Sequence, residues 1–103
     1  MPIMKVTREN FEAEVLNCGT PVLADFNADW CGPCRAMRPM LEELAESGPV
    51  YKIVSIDIYE ERELAEEYDV TSIPCLVLFK NGEEANRSIG LISRDAIAEL
   101  AGS

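Results

Sequence analysis

Cys31 and Cys34 are separated by a glycine and a proline in the run Trp30-Cys31-Gly32-Pro33-Cys34. At the start of a helix, positions i and i+3 share a face, close enough for their sulfurs to bridge. Val22 to Phe26 reads as a buried strand, and the loop Asn27 to Gly32 leads to a helix that opens at Pro33. Proline suits a first helical turn, where its missing N–H costs nothing. Cys31 then faces unpaired backbone N–H groups and the positive end of the helix dipole, and both favour a thiolate. Cysteines in such settings have pKa values of roughly 3.5 to 7.5, against about 8.5 for a free thiol. Cys34, one turn in, is expected to be more buried and less acidic. That asymmetry assigns the chemistry of thiol–disulfide exchange. Cys31 attacks a partner's disulfide, and Cys34 then attacks Cys31 and releases the reduced partner.

A zinc knuckle is the competing reading of two cysteines at this spacing. Zinc needs four ligands, usually in two pairs. The chain has no histidine, and Cys18 and Cys75 form no second pair, so no metal is expected. Two structural disulfides would suit a secreted chain. Met1 to Asn10, however, carries neither an apolar signal region nor a cleavage site, so a cytoplasmic protein is expected. There are 19 acidic and 9 basic residues, a net charge of −10. That argues against nucleic acid and against anionic membranes, both of which require clustered Lys and Arg. Solubility is the simplest reading of the acidity, and steering toward partners with a basic docking face is the sharper one.

The elements that must position the two sulfurs follow from the apolar pattern. Strand signals at Ile3–Val6, Val22–Phe26, Val50–Ile58, Cys75–Phe79 and Glu84–Ile89 alternate with helical ones. The first helix is capped by Thr7 and carries Phe11, Val15 and Leu16. The second begins at Pro33, buries Met37, Met40, Leu41 and Leu44, and contains Pro39. Glu60–Tyr68 and Arg94–Ala101 are the third and fourth, the last capped by Ser93. Asn81-Gly82 is a hairpin signal. The order βαβαβαββα predicts an α/β fold in one domain, 1–103. Its early βαβ units imply parallel strands, its late hairpin antiparallel ones, and helices cover both faces of a mixed sheet.

Trp30-Cys31-Gly32-Pro33-Cys34, with Asp25-Phe26 upstream and Ser72-Ile73-Pro74 and Phe79-Lys80-Asn81-Gly82 downstream, resembles the thioredoxin family. The likeness runs from about Phe11 to Leu100. It implies a central mixed five-stranded sheet flanked by four helices, and a protein-disulfide reductase that cycles between the Cys31–Cys34 disulfide and the dithiol. It implies no bound cofactor, disulfide-containing client proteins, and recharging by a thioredoxin reductase with electrons ultimately from NADPH or ferredoxin. A monomer is expected. An oxidase or isomerase on the same fold, and a scaffold subunit with incidental thiols, are the alternatives. The missing export signal and the Gly-Pro between the cysteines count against the oxidase.

Site roles follow from the same resemblance. Asp25 is either an outward polar residue of an alternating strand or, as the resemblance implies, a buried acid beneath Cys34. Such an acid accepts the Cys34 proton, and burial raises its pKa toward neutrality. Ile73-Pro74 is implied to be a cis peptide packed against the cysteine pair, with the Ile73 backbone open to an extended substrate segment. Trp30, Ile73 and Gly90 would frame a shallow apolar docking patch beside Gly32 and Pro33. Four departures from the family pattern stand out. Asn27 replaces a Trp, which implies looser packing below the active loop. Ser55 replaces a Lys, which removes a cation that would favour ionised Asp25. Arg35 replaces a Lys and keeps its charge. Cys75 replaces a Thr, and is either a small core residue or an accessory redox thiol.

Overall fold

Strands and amphipathic helices alternate along the chain: β1 (Met4–Lys5), α1 (Arg8–Phe11, prolonged by a π-helical turn, Glu12–Leu16), β2 (Val22–Asn27), α2 (Gly32–Glu46), β3 (Lys52–Asp57), α3 (Arg62–Glu67), β4 (Cys75–Lys80), β5 (Glu83–Ile89) and α4 (Arg94–Ala101). This is a computed structural model, and it describes residues 3–102. Met1, Pro2 and Ser103, at the ends of the expected domain, lie outside the described residues. The five strands form one mixed sheet in the order β1-β3-β2-β4-β5. β1 and β2 both run parallel to β3, while β4 is antiparallel to β2 and β5. The α/β architecture of five strands and four helices is therefore the expected one.

β2 lies at the centre and is buried along its whole length. Successive side chains of a strand point to opposite faces, so β2 serves two cores. Val22, Ala24 and Phe26 meet Phe11, Val15 and Leu64 from α1, its π-helical turn and α3. Leu23 faces the other way, toward Met37, Leu41 and Leu44 of α2 and Ile97 of α4. α2 supplies this contact through a stripe at helical spacing and continues past Pro39 without a break. Met40, expected among its buried residues, lies at the margin of that core.

The first helix departs from the expected regular α-helix. Its last residues wind as a π turn, with the Asn17 N–H donating to Glu12 O at 2.8 Å. A wider turn brings residues five apart onto one face, which directs both Phe11 and Leu16 toward the sheet. At its start, the Thr7 N–H donates to Asn10 Oδ1 at 2.7 Å. Ser93 caps α4 as expected, its hydroxyl accepting from the Ala96 N–H at 3.1 Å, a contact worth about 1 kcal/mol. Asn81 and Gly82 both take positive φ, 54° and 80°, the backbone that a two-residue hairpin turn requires. A side chain at 82 would also meet the Leu16 carbonyl oxygen at 3.1 Å.

β1 and β3 are shorter than their apolar runs suggest. Val6 lies outside β1, yet its N–H still donates to Ser55 O at 2.8 Å. Beyond β3, the Asp57 carboxylate accepts from the Tyr59 N–H at 2.7 Å and the Glu60 N–H at 3.2 Å. This side-chain turn ends the strand and delays α3. Among the described residues, no helix is long and apolar enough to cross a membrane.

Candidate active site

β2 delivers the chain to the loop Ala28–Trp30, and α2 starts at Gly32. Cys31 is thus the N-cap residue of α2, with extended backbone (φ −86°, ψ 113°) and Pro33 in the first turn. Its sulfur takes the place of the usual capping oxygen and accepts the Cys34 N–H at 3.2 Å. An N-cap acceptor satisfies one of the helix's orphan donors and sits where the dipole favours negative charge. Cys31 and Cys34 form a disulfide with their Cα atoms 5.2 Å apart. Each residue is 5% exposed, so the expected difference in burial is absent. What distinguishes them is position: Cys31 occupies the cap, and Cys34 the first turn, facing the sheet.

The two cysteines pack with Ala28, Ile58 and Ile73 in a small apolar cluster. Ile73–Pro74 is a cis peptide, and the Gly90 N–H donates to Pro74 O at 2.8 Å. Gly90 holds φ 98° there, a conformation that side-chain-bearing residues rarely adopt. Trp30 stands beside the nucleophile and is 65% exposed. The residues singled out for docking are therefore held next to the disulfide by the start of α2, by the entry to β4 and by the exit from β5.

Asp25 is 2% exposed, which excludes the outward-facing reading. Its carboxyl and Cys34 line one cleft of about 80 Å³, together with Asn27, Asp29 and Arg38. Burial is the largest influence on the acid and pushes its pKa up to about 7, against opposing effects of Arg38 and of a hydrogen bond from Asn27. A carboxyl of that strength near neutral pH is suited to accept and release a proton.

Asn27 is buried and hydrogen-bonded beside the acid. Its Nδ2 lies 2.8 Å from Asp25 O, 2.8 Å from Ser55 Oγ and 3.3 Å from Asp25 Oδ2. β2 and β3 are in register at Asp25 and Ser55, so the two family departures meet as one buried polar group beside the acid. Arg38 is the residue that the sequence reading missed. It stands one turn after Cys34 in α2 and faces the same cleft. A cation at i+4 from a reactive cysteine was the available signal.

Cys75 does not join the site. It pairs with Phe26 across the ladder, and its side chain enters the core beneath α1 and α3. The active pair and Asp25 lie on the α2 side. Burial pushes the Cys75 thiol up, away from the thiolate that redox chemistry uses.

Comparison with known proteins agrees with this geometry. The family model described as Thioredoxin matches residues 2–102. A thioredoxin of Bacillus subtilis is 46% identical over 101 residues, covering 97% of this chain and 95% of its own. One from Chlamydia trachomatis is 45% identical over 98 residues, covering 95% and 94%. Thioredoxin C-2 of Corynebacterium nephridii is 43% identical over 97 residues, covering 93% and 90%. With a cysteine pair at the cap of α2 and this similarity along nearly its whole length, the chain belongs to the thioredoxin family and is a thiol–disulfide oxidoreductase that works by dithiol–disulfide exchange.

Proposed function

We propose that Cys31 is the attacking thiolate, Cys34 the resolving thiol and Asp25 the base of a general protein-disulfide reductase. In the reduced protein, the Cys31 sulfur attacks a client disulfide. One client sulfur leaves with the electron pair of the broken S–S bond, and Cys31 becomes joined to the other. Cys34 then gives its proton to the Asp25 carboxylate, and its sulfur attacks Cys31 Sγ. The bond between Cys31 and the client breaks, and the second client sulfur departs as a thiolate. The client has gained two electrons, and this chain holds the Cys31–Cys34 disulfide. The observation that carries this reading is the Cys31 sulfur at the helix cap with the Cys34 N–H aimed at it, at 3.2 Å.

The client's extended segment docks over the exposed Trp30, Gly32 and Pro33 and the half-buried Ile73 and Gly90, with the buried Pro74 fixing the Ile73 backbone. The chain works as a single domain and a monomer in the cytoplasm, without a bound cofactor or metal. A thioredoxin reductase recharges it, drawing on NADPH or ferredoxin. Reduction of insulin by dithiothreitol tests the enzyme against the scaffold alternative. Cys31→Ser is expected to bring the rate to the uncatalysed background, and Cys34→Ser to trap a client as a mixed disulfide detectable by mass spectrometry. A fully active Cys31→Ser variant overturns the assignment.

A further inference from the structure

Disulfide exchange between Cys31, Cys34 and a client gives no role to Arg38, a cation on the polar cleft behind the disulfide. Arg38 lines the cleft of about 80 Å³ that Asp25 and Cys34 share. It also lines an adjoining cleft of about 210 Å³, where Lys5, Ser55 and Asp57 form the walls. Asn27 and Asp29 border both spaces, so the Arg38 side chain stands at the boundary between the buried acid and the outer cleft. The smaller space is large enough for water, which needs about 10–15 Å³ of such volume.

Two buried polar atoms in this region lack hydrogen-bond partners among the described residues: Asp25 Oδ1, an acceptor, and Arg38 Nε, a donor. Orphaned buried groups of opposite kind on one cleft are unusual, because each costs free energy alone. Arg38 Nε approaches Glu42 Oε2, one turn along α2, at 3.6 Å, an ion pair too long to be a hydrogen bond. Other charges do not substitute for Arg38. Lys5 is paired with Glu60 at 2.6 Å, Asp29 and Asp57 carry the wrong sign, and β3 offers only the neutral Ser55 hydroxyl opposite Asp25. Arg35 lines the inner cleft as well, but of the two arginines only Arg38 acts appreciably on Asp25, and the Cys75 thiol lies on the far face of the sheet.

We propose that Arg38 is a positioning residue for proton transfer: it keeps Asp25 ionised and ready to take the Cys34 proton, and the cleft it borders then carries that proton from Asp25 to solvent. The proposal rests on Asp25 acting as the base. Among the influences opposing burial at Asp25, Arg38 is the largest. A cation beside an acid lowers the pH at which the acid ionises. Arg38 therefore extends the working range of the resolving step toward lower pH.

The test follows the Asp25 carboxyl carbon by NMR titration, together with single-turnover release of a client peptide from its mixed disulfide with Cys31. Arg38→Met and Arg38→Gln are expected to raise the Asp25 midpoint by about 0.5–1 pH unit, and to slow release below that midpoint by about 3–10-fold. Arg38→Lys should restore most of both. Ser55→Lys in the Arg38→Met background should do so too, because it returns a cation from the neighbouring strand. An unmoved Asp25 midpoint in both neutral variants overturns the proposal, as does an equal shift in Arg38→Lys, which would mark a packing effect. Asp25→Asn separates the two ideas. If it resolves mixed disulfides at the wild-type rate while Arg38→Met still moves the Asp25 midpoint, the base assignment fails and the hold of Arg38 on the acid stands. If Asp25→Asn is slow and the midpoint ignores Arg38, only the role of Arg38 falls.

Discussion

Phe26 and Cys75 are ladder partners, and so are Asp25 and Leu76 one residue away, yet the two pairs inhabit opposite worlds. Phe26 and Cys75 face α1 and α3, where the buried residues are apolar throughout. Phe11, Tyr68 and Phe79 close that face as an aromatic trio, with ring centroids 5.2–5.8 Å apart. Asp25 and Leu76 face α2. There Leu76 enters a second apolar core, while Asp25 opens onto a polar cleft with Asn27 and Arg38. One face of the sheet is given over to stability. The other gives up some stability at its end nearest the disulfide, because a carboxyl buried there is useful. The strand between them keeps two kinds of thiol apart, a reactive pair at a helix cap and an inert one in hydrocarbon.

The sharpest break in this contrast should come from the aromatic face. Phe79→Ala is expected to cost about 3–5 kcal/mol while leaving the pH dependence of insulin reduction in place. Urea unfolding and a pH–rate profile check the two halves, and a displaced profile would mean that the faces are not independent.

Asp25→Asn should act in the opposite direction. The folded acid keeps its proton up to about pH 7, whereas its unfolded counterpart releases it near 3.8. The oxidised wild-type protein therefore loses stability as pH rises through that window, and the loss levels off above it. A displacement of that size corresponds to about 4 kcal/mol as an upper figure. Relative to wild type, the variant should be little changed near the bottom of the window and more stable by about 2–4 kcal/mol near pH 8. Denaturant melts at several pH values measure this, and a pH-independent difference would contradict the buried-acid assignment.

The smallest effect belongs to Cys75. With Cys31 and Cys34 held as the disulfide, native iodoacetamide labelling should modify Cys18 first, and reach Cys75 at least about 100-fold more slowly, through opening of the fold. Cys75→Ala should cost about 1 kcal/mol. Rapid native labelling of Cys75 would show that the sheet does not insulate it.

The parts of this contrast that were legible in the sequence are those governed by local pattern. Strand and helix order, the Ser93 cap, the Asn81-Gly82 turn and the buried stripe of α2 all follow from periodicity and turn chemistry acting over a few residues. Asp25 was legible as an anomaly, a carboxylate inside an apolar strand, and the resemblance decided its direction. The family motif likewise carried the cis peptide at Ile73–Pro74. Strand order was not readable from local signals, since the placement of β3 between β1 and β2 depends on how distant segments pack. Asn27 was noticed as a departure, but its meaning needed the register that brings Ser55 alongside. Arg38 was hidden by its type: arginine on an amphipathic helix reads as solvated surface until the facing strand is known to bury an acid. Equal burial of Cys31 and Cys34 was missed because helix position alone does not show how far Ile58 and Ile73 cover the cap.

Trp30 is the only tryptophan in the chain, and in the folded protein its indole is already mostly in water. Its fluorescence is therefore a local gauge. Unfolding changes its solvation little, whereas opening or closing the neighbouring sulfur bridge alters a quencher next door. An optical signal that in many small proteins follows the state of the core follows, in this one, the electrons.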